Sequence, residues 1–251
     1  MKRRRSFLRR GSDRCSRGVA GVVGVTVAAT VAADRATSRI RPPRIGHVMR
    51  FEELQRLYDG ADYYWGTEPN ELATRTADAV SPETHPEVVD LGAGEGRDAV
   101  RFAERGHDVT AVDISPNGLD KAERLAEERG VELTTRCADV NDLAFESRWD
   151  VVYSIGTLQY VRPENRESQF RRFREATRPG GVHAVWAFVD HPEVAPAPDW
   201  GENEHLYDPG ELAGYYDGWE VRHSDEYVFD DDSAGESHRH ACEELILQKP
   251  E

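Results

Sequence analysis

The sequence has little cysteine and no long apolar run, and each shortage excludes a class of protein. Among its 251 residues only Cys15, Cys137 and Cys242 are cysteines. They are too few for a disulfide framework and too scattered for a structural zinc site. The apolar stretch at 18–33 has 16 residues, fewer than the roughly 20 that span a bilayer. The length therefore predicts one large α/β domain, alone or with a tail.

Positive charge is also scarce over most of the chain. The formal net charge is −15, and residues 49–251 hold 20 Lys and Arg against 45 Asp and Glu, whereas residues 1–48 hold 12 against 2. In the acidic part, Arg outnumbers Lys 18 to 2. Such a surface repels phosphate backbones, which argues against a nucleic-acid partner. It is typical of salt-adapted proteins, and an acidic patch for a cationic partner is the alternative.

Residues 1–48 form a basic extension that has three interpretations. Arg4 and Arg5 precede the apolar stretch, as in a twin-arginine export signal, and Ala33 would end it near a cleavage site. Alternatively, translation starts at Met49, where helical periodicity and acidic composition both begin. The third interpretation is a disordered tail. In each case the extension stands apart from the domain at 49–251.

From residue 50 onward, helical and strand patterns alternate. Residues 49–86 are predicted as a helical lid with an aromatic turn at 62–69, ahead of a core at 87–251. The core pattern predicts strands at 88–91, 108–113, 132–137, 149–154 and 182–189, and helices at 97–104, 116–129 and 163–177. Strands separated by helices require right-handed crossovers and a parallel sheet. The last two predicted strands, 219–227 and 242–248, have only a loop between them, which indicates an antiparallel pair.

The strongest motif is a glycine loop between the first strand and its helix. It reads Gly92-Ala93-Gly94-Glu95-Gly96, and glycine lets a backbone approach a ligand closely. The second strand ends in Asp113, 17 residues beyond Gly96. A carboxylate there can accept hydrogen bonds from both ribose hydroxyls of an adenosine ligand. Capping of the next helix is the alternative role for Asp113.

Two carboxylates at the loop indicate which nucleoside it binds. Asp90 precedes the glycines and Glu95 lies among them, where they would repel a pyrophosphate placed on the helix N-terminus. They suit a ligand with a cationic amino-acid group, such as S-adenosylmethionine. Asp139, after the third strand, can accept from an adenine amino group while Val140 packs on the ring. A plain turn is the alternative role for Asp139.

These residues resemble class I S-adenosylmethionine-dependent methyltransferases. The resemblance rests on Asp90-Leu91-Gly92-Ala93-Gly94-Glu95-Gly96, Asp113, Asp139 and Arg178-Pro179-Gly180-Gly181, and it covers about residues 50–250. It implies a Rossmann-like α/β fold with a seven-stranded, mostly parallel sheet of order 3-2-1-4-5-7-6, strand 7 antiparallel and helices on both faces. Gly96-Arg97-Asp98 and Asp62-Tyr63-Tyr64-Trp65, with the segment 209–220, are most similar to the tellurite-resistance and thiopurine-type small-molecule methyltransferases.

The resemblance also implies which residues bind the cofactor, S-adenosylmethionine. Asp90 is expected at its ammonium group, and Ser154 begins the floor beneath its methyl group. Tyr63 is expected over its carboxylate end. The full set implied is Tyr63, Asp90, Gly92, Ala93, Gly94, Gly96, Asp113, Ile114, Asp139, Val140 and Ser154.

The substrate is expected at the carboxyl ends of the strands, under a Pro-rich lid at 190–206. His238, Arg239 and His240 are the predicted catalytic residues, because cations there would steer an oxyanion or thiolate and a histidine can take a proton. A solvated loop is the alternative for these side chains. No metal site is predicted, since Cys242 is the nearest further ligand and no other cluster accompanies it.

The predicted function is methyl transfer to a small molecule, such as tellurite, another chalcogen oxyanion or a thiol. The alternatives are transfer to a metabolite oxygen or nitrogen, a non-catalytic S-adenosylmethionine-binding module, and a dinucleotide-dependent oxidoreductase. The predicted location is cytoplasmic, because the cofactor is made there, and this favours Met49 as the start. The predicted partners exclude nucleic acid and membrane, and the expected state is a monomer or weak homodimer.

Overall fold

The computed structural model describes residues 51–145, 148–195, 197–198, 200–231 and 237–251. The basic extension at 1–48 lies outside these residues. Within them, the helices are α1 Phe51–Tyr58, α2 Glu71–Ala79, α3 Arg97–Glu104, α4 Pro116–Arg129, α5 Pro163–Glu175 and α6 Glu211–Gly214. The strands are β1 Glu87–Leu91, β2 Asp108–Asp113, β3 Thr134–Cys137, β4 Trp149–Ser154, β5 Thr177–Val189, β6 Glu220–Asp231 and β7 His238–Gln248. None of the described helices is both long enough and apolar enough to span a membrane.

The seven strands form one sheet of order β3-β2-β1-β4-β5-β7-β6. Strands β1 to β5 pair in parallel, and β7 runs antiparallel to β5 and to β6. This order and the antiparallel last strand confirm the predicted fold. The carboxyl ends of β1 and β2 therefore lie side by side, where the glycine loop and Asp113 begin.

Helices cover both faces of the sheet and produce two apolar cores. On one face, Phe170 and Phe173 of α5 pack with Val152 and Val185 of the central strands. On the other, Leu72 of α2 and Phe102 of α3 belong to the second core, with β-strand residues between them. Strand β1 is buried from Val88 to Leu91 because both of its faces are covered.

Helix α4 shows how local sequence sets the boundaries near the site. Ser115 precedes the helix, and its hydroxyl accepts a hydrogen bond from the Gly118 amide at 3.0 Å. Pro116 occupies the first turn, where a missing amide proton costs little. Gly130 ends the helix in the left-handed conformation, with φ of 71°. These signals fix α4 directly after β2, and so they position Asp113 next to the glycine loop.

The last two strands are longer than predicted. Strand β6 extends to Asp231 and β7 begins at His238, so the predicted catalytic residues lie in a strand and not in a loop. Polar residues at the end of β6 and the start of β7 make these parts of the strands difficult to recognise from the sequence. The long strand β5 supplies the hydrogen-bonding partner that holds β7 extended, up to the pair Val189 and Ala241.

Candidate active site

The glycine loop lies at the carboxyl end of β1, and each glycine is required by a different neighbour. A Cβ on Gly92 would lie 1.6 Å from the Thr157 hydroxyl oxygen, and one on Gly94 would lie 3.1 Å from the Tyr58 hydroxyl. A Cβ on Gly96 would lie 2.5 Å from the Ala122 Cβ in α4. Because Gly92 and Gly94 have no side chain, Thr157 and Tyr58 can lie close to the loop backbone. Gly96 allows the close approach of α4. The amides of Gly92 and Ala93 both donate to the Val112 carbonyl, which ties the loop to β2.

Asp90, at the end of β1, is a buried carboxylate with an unsatisfied oxygen. It is 2% exposed, and its Oδ2 has no hydrogen-bond partner among the described residues. Burial, with the nearby charges of Asp98 and Asp113, raises the pKa of Asp90 well above its ordinary value. A buried carboxylate that is not paired is costly. A cationic group placed at Oδ2 would remove that cost, so Asp90 fits the ammonium group of S-adenosylmethionine.

Asp113, at the end of β2, organises the loop from the neighbouring strand. Its Oδ2 accepts from the Gly94 amide and its Oδ1 from the Ser115 amide, both at 2.8 Å. Burial raises the pKa of Asp113, and the two amide hydrogen bonds act in the opposite direction. The helix-start role therefore exists, and each oxygen keeps a further lone pair for a ribose hydroxyl. Ile114 beside it is 39% exposed, as an apolar surface for a ligand would be.

Glu95 does not carry the free charge that the sequence indicated. Its Oε1 lies 2.7 Å from Lys121 Nζ in α4, and the two side chains are 1% and 5% exposed. Its Oε2 accepts from the Trp65 amide at 3.0 Å. The electrostatic argument against a pyrophosphate therefore rests on Asp90 alone. The pairing was missed because Lys121 lies 26 residues further along the chain.

The tyrosine that borders the glycine loop is Tyr58, and a contact of Tyr63 with the carboxylate end of the cofactor stays a prediction. Tyr63 packs against α4, with the Arg124 guanidinium 5.1 Å from its ring centre and its hydroxyl donating to the Lys121 carbonyl. Tyr58, at the end of α1, is 6% exposed and borders Gly94 and Gly118. The Trp65 indole donates to its hydroxyl at 3.0 Å. Helix α1 thus covers the glycine loop.

Ser154, Asp139 and Val140 lie at strand ends near the loop but are occupied locally. The Ser154 hydroxyl donates to the Leu91 carbonyl at 3.0 Å and is fully buried, so it joins β4 to β1. Asp139 Oδ1 accepts from the Asn141 amide at 2.8 Å, which is the turn role considered as its alternative. The Val140 carbonyl accepts from Gln169 of α5 at 2.6 Å. A contact of Asp139 with adenine stays a prediction.

Comparison with known proteins agrees with this geometry. Residues 88–181 match the family described as "Methyltransferase domain". The probable S-adenosyl-L-methionine-dependent methyltransferase TehB of Haemophilus influenzae is 27% identical over 137 residues, 53% of this chain and 46% of that protein. The crystal structure of TehB superposes with a TM-score of 0.64 at 21% identity, over 79% of this chain and 66% of that one. Residues 88–181 thus form a methyltransferase domain, and the chain has the fold of the class I S-adenosylmethionine-dependent methyltransferases.

Two further relatives act on different kinds of molecule. A 2-heptyl-1-hydroxyquinolin-4(1H)-one methyltransferase of Mycobacteroides abscessus is 28% identical over 151 residues, 55% of this chain and 66% of that protein. A tRNA 5-carboxymethoxyuridine methyltransferase of Escherichia coli is 33% identical over 122 residues, 45% of this chain and 46% of that protein. The chain spans about half to two thirds of the length of these relatives. The methyltransferase domain is therefore common to proteins with small and with macromolecular substrates.

The methyltransferase domain also contains site residues that sequence reasoning missed. Thr157 lies against Gly92, and Tyr160 closes the first turn after β4. The Tyr160 hydroxyl donates to Glu204 Oε1 at 3.0 Å, which ties the segment predicted as a lid to the carboxyl end of β4. Burial, and then the charge of Glu204, raises the pKa of Tyr160 well above its ordinary value. The only sequence signal for these residues was their position just after a predicted strand.

His238, Arg239 and His240 do not form one cluster in the methyltransferase domain. Side chains alternate along β7, and the two imidazoles lie 3.0 Å apart, Nε2 to Nε2. The Arg239 guanidinium instead donates to the Glu193 carbonyl at 3.0 Å. Strand β7 lies three strand positions from β1, which is a lateral distance of about 14 Å. The predicted catalytic residues therefore meet the lid segment near the carboxyl end of β5, three strand positions from the glycine loop.

Proposed function

We propose that this protein transfers the methyl group of S-adenosylmethionine to a small molecule in the cytoplasm. The observation that carries the proposal is the buried, unpartnered oxygen of Asp90 at the glycine loop. Few adenosine ligands bring a cation to that position, and S-adenosylmethionine brings an ammonium group. The match of residues 88–181 to a methyltransferase domain supports the same cofactor.

Different residues around the loop bind different parts of the cofactor. Asp90 holds the ammonium group, and Asp113 accepts from the ribose while it fixes the Gly94 amide. Gly92 and Gly94 keep the backbone open to the ligand, and Tyr58 covers it from α1. When bound, the cofactor supplies an activated methyl group on a sulfonium. The protein then has to orient the acceptor and exclude water, for which no covalent nucleophile is needed.

The proposed acceptor is a chalcogen oxyanion, such as tellurite, or a thiol. The sequence resemblance to the tellurite-resistance methyltransferases and the name of the quinolone methyltransferase support a small molecule. The acidic composition of residues 49–251 supports the same conclusion, because it repels the phosphates of an RNA. A metabolite oxygen or nitrogen is the alternative acceptor, and a cofactor-binding module without turnover is the alternative function.

A catalytic role for His238, Arg239 and His240 stays a prediction. The sheet order argues against direct contact, since β7 is three strands away from the glycine loop. Tyr160 and Glu204 are nearer candidates for positioning the acceptor. Tyr160 follows β4, the strand beside β1, and Glu204 belongs to the lid segment.

A labelled-methyl assay tests the proposal. Full-length protein would be incubated at high salt with methyl-labelled S-adenosylmethionine and, separately, with tellurite, selenite, thiols, phenols, amines and unmodified tRNA. We expect label in an oxyanion or thiol product, and loss of that label in Asp113→Ala but not in Asp108→Ala. Asp108 is the matched control because it lies at the exposed, opposite end of β2. Label in tRNA alone would contradict a small-molecule acceptor, and tight cofactor binding with no labelled product would favour the non-catalytic module.

A further inference from the structure

The tip of the β6–β7 hairpin brings together three metal-binding side chains outside the methyltransferase site. His238 and His240 are two residues apart on β7, so both point to the same face of the sheet. Asp231 is the register partner of His238 on β6. The imidazoles are 8% and 6% exposed and the carboxylate is 29% exposed. The strand register, rather than a flexible loop, sets the separation of these groups.

The distances among the three ligand atoms match a metal coordination sphere. His238 Nε2 and His240 Nε2 are 3.0 Å apart, and Asp231 Oδ2 lies 3.8 Å from the first and 3.5 Å from the second. The point equidistant from all three atoms is about 2.0 Å from each of them, which is the usual length of Zn–N and Zn–O bonds. Each of the three residues offers one ligand atom, and these three atoms lie within 4.8 Å of one another.

We propose that Asp231, His238 and His240 bind a divalent transition-metal ion, with zinc as the preferred ion. Two imidazole nitrogens and one carboxylate oxygen suit zinc and neighbouring first-row ions, and hard ions such as Mg²⁺ prefer oxygen-only sites. Three protein ligands leave at least one coordination position open.

The surroundings of the site agree with an open metal centre. On one side, the His240 ring lies among Phe188, Trp200 and Phe229, with ring centres 4.9 to 5.6 Å away. These rings limit access of water from that side. On the other, a cavity of about 410 Å³ is lined by His238, Arg239, Ser237, Asp230 and Ala195. His238 borders this cavity, so water or a small anion can reach the open coordination position from it.

Sequence reasoning predicted no metal site here, for a reason that the fold makes clear. It paired the two histidines with Cys242, which follows at the same spacing. In the structure, the Cys242 thiol is buried and lies 3.5 Å from the Tyr227 carbonyl. The third ligand comes from β6 instead, and only the hairpin register brings it into place.

Cobalt binding to the full-length protein tests this proposal, independently of methyl transfer. Chelator-treated protein would be titrated with Co²⁺ at high salt, where binding to the acidic surface is screened. We expect about one equivalent of tightly bound Co²⁺ with intense visible bands of a low-coordinate site, and full displacement by Zn²⁺. Asp231→Asn and His240→Gln should each weaken binding at least roughly tenfold, since even indirect changes near metal sites cost that much.

His85→Gln is the matched control, because His85 lies next to β1 and its imidazole contacts the Gly180 carbonyl, away from the hairpin. It should leave cobalt binding unchanged. Circular dichroism establishes that each variant is folded, and Asp231→Asn keeps the test valid if His240→Gln unfolds. Weak cobalt binding that is equal in the wild type and both ligand variants would overturn the proposal, and so would bound Co²⁺ without visible bands.

Discussion

Asp90 and the Glu95–Lys121 pair show, at the scale of single residues, two ways in which buried charge is handled at one loop. Glu95 is neutralised within the protein by Lys121 at 2.7 Å. Asp90 has no such partner for Oδ2 among the described residues. A buried charge without a partner is strongly destabilising, so the unpaired oxygen of Asp90 suits a ligand that brings the missing cation. The two carboxylates, five residues apart, therefore have different roles.

Replacement of Asp90 should separate binding from stability. In Asp90→Asn, the free energy of unfolding should stay the same or rise, because a buried carboxyl whose charge is disfavoured is replaced by a neutral group. Affinity for S-adenosylhomocysteine should fall about tenfold or more, as expected for the loss of a charged hydrogen bond. Calorimetry and urea unfolding measure the two quantities. A large loss of stability with unchanged affinity would mean that Asp90 is structural.

Replacement of Lys121, unlike that of Asp90, should lower the free energy of unfolding. Lys121→Met leaves Glu95 buried without its partner, and removal of one member of a buried pair costs about 3–5 kcal/mol of unfolding free energy. The double variant Glu95→Gln, Lys121→Met should recover much of that loss. Urea unfolding of the three proteins forms the comparison. Equal stability of the single and double variants would show that the pair is not coupled.

Sequence reasoning could identify Asp90 and Asp113, because both are defined by their position at a strand end. It could not identify the partner of Glu95, which α4 brings back from a distant part of the chain. It named Tyr63 of the aromatic turn for the site and did not name Tyr58, the last residue of α1. Local position is readable from sequence, whereas contacts between elements depend on packing angles.

At the scale of elements, α1 is the cover of the glycine loop, and a few polar contacts hold it there. Gln55 Nε2 donates to the Ser115 hydroxyl at 2.7 Å, and the Gln55 carbonyl accepts from the Asn117 side chain at 3.0 Å. The aromatic side chain of Tyr58 also contacts the loop and contributes apolar packing to this cover. An element of eight residues held mainly at one end can open without unfolding the sheet.

Removal of the Gln55 side-chain contacts should loosen this cover. In Gln55→Ala, dissociation of S-adenosylhomocysteine should become about three- to tenfold faster, because the hydrogen bond to Ser115 is worth about 1 kcal/mol. Global stability should change little. Stopped-flow displacement measures the rate, with Arg56→Ala as the control from the exposed side of the same helix. An unchanged rate would mean that α1 does not gate the site.

The sequence patterns of the individual strands explain which of them could be predicted. Strands β1 and β2 carry apolar runs that are visible in the sequence, and their helices have clear starts and stops. The ends of β6 and β7 carry Asp, His and Arg, so their pairing appears only through register. This is why the three ligands at the hairpin tip were not recognised together.

The whole molecule has a strongly acidic composition and several buried titratable groups, and its stability therefore depends on pH. His183 is fully buried between Thr177 and Tyr216, and burial lowers its pKa to about 3. An unfolded histidine has a pKa of about 6.5. The unfolded state therefore binds a proton at His183 over a range in which the folded state does not.

The free energy of unfolding should accordingly fall as the pH decreases from about 6.5 toward 3, by at most about 1.4 kcal/mol per pH unit from His183. The buried carboxyls with raised pKa act in the opposite direction, but they are present in wild type and variant alike. The difference in stability between wild type and His183→Gln isolates the histidine. That difference should shrink or reverse as the pH falls, and a constant difference between pH 7 and pH 5 would contradict this account.

We propose that the glycine loop, Asp90 and Asp113 together bind S-adenosylmethionine. Calorimetric titration of the full-length protein with S-adenosylhomocysteine at high salt tests it most directly, with Asp113→Ala and the matched Asp108→Ala alongside. We expect one binding site per chain, affinity reduced at least about tenfold in Asp113→Ala, unchanged affinity in Asp108→Ala, and no binding of NAD. Binding of NAD without binding of S-adenosylhomocysteine would contradict it.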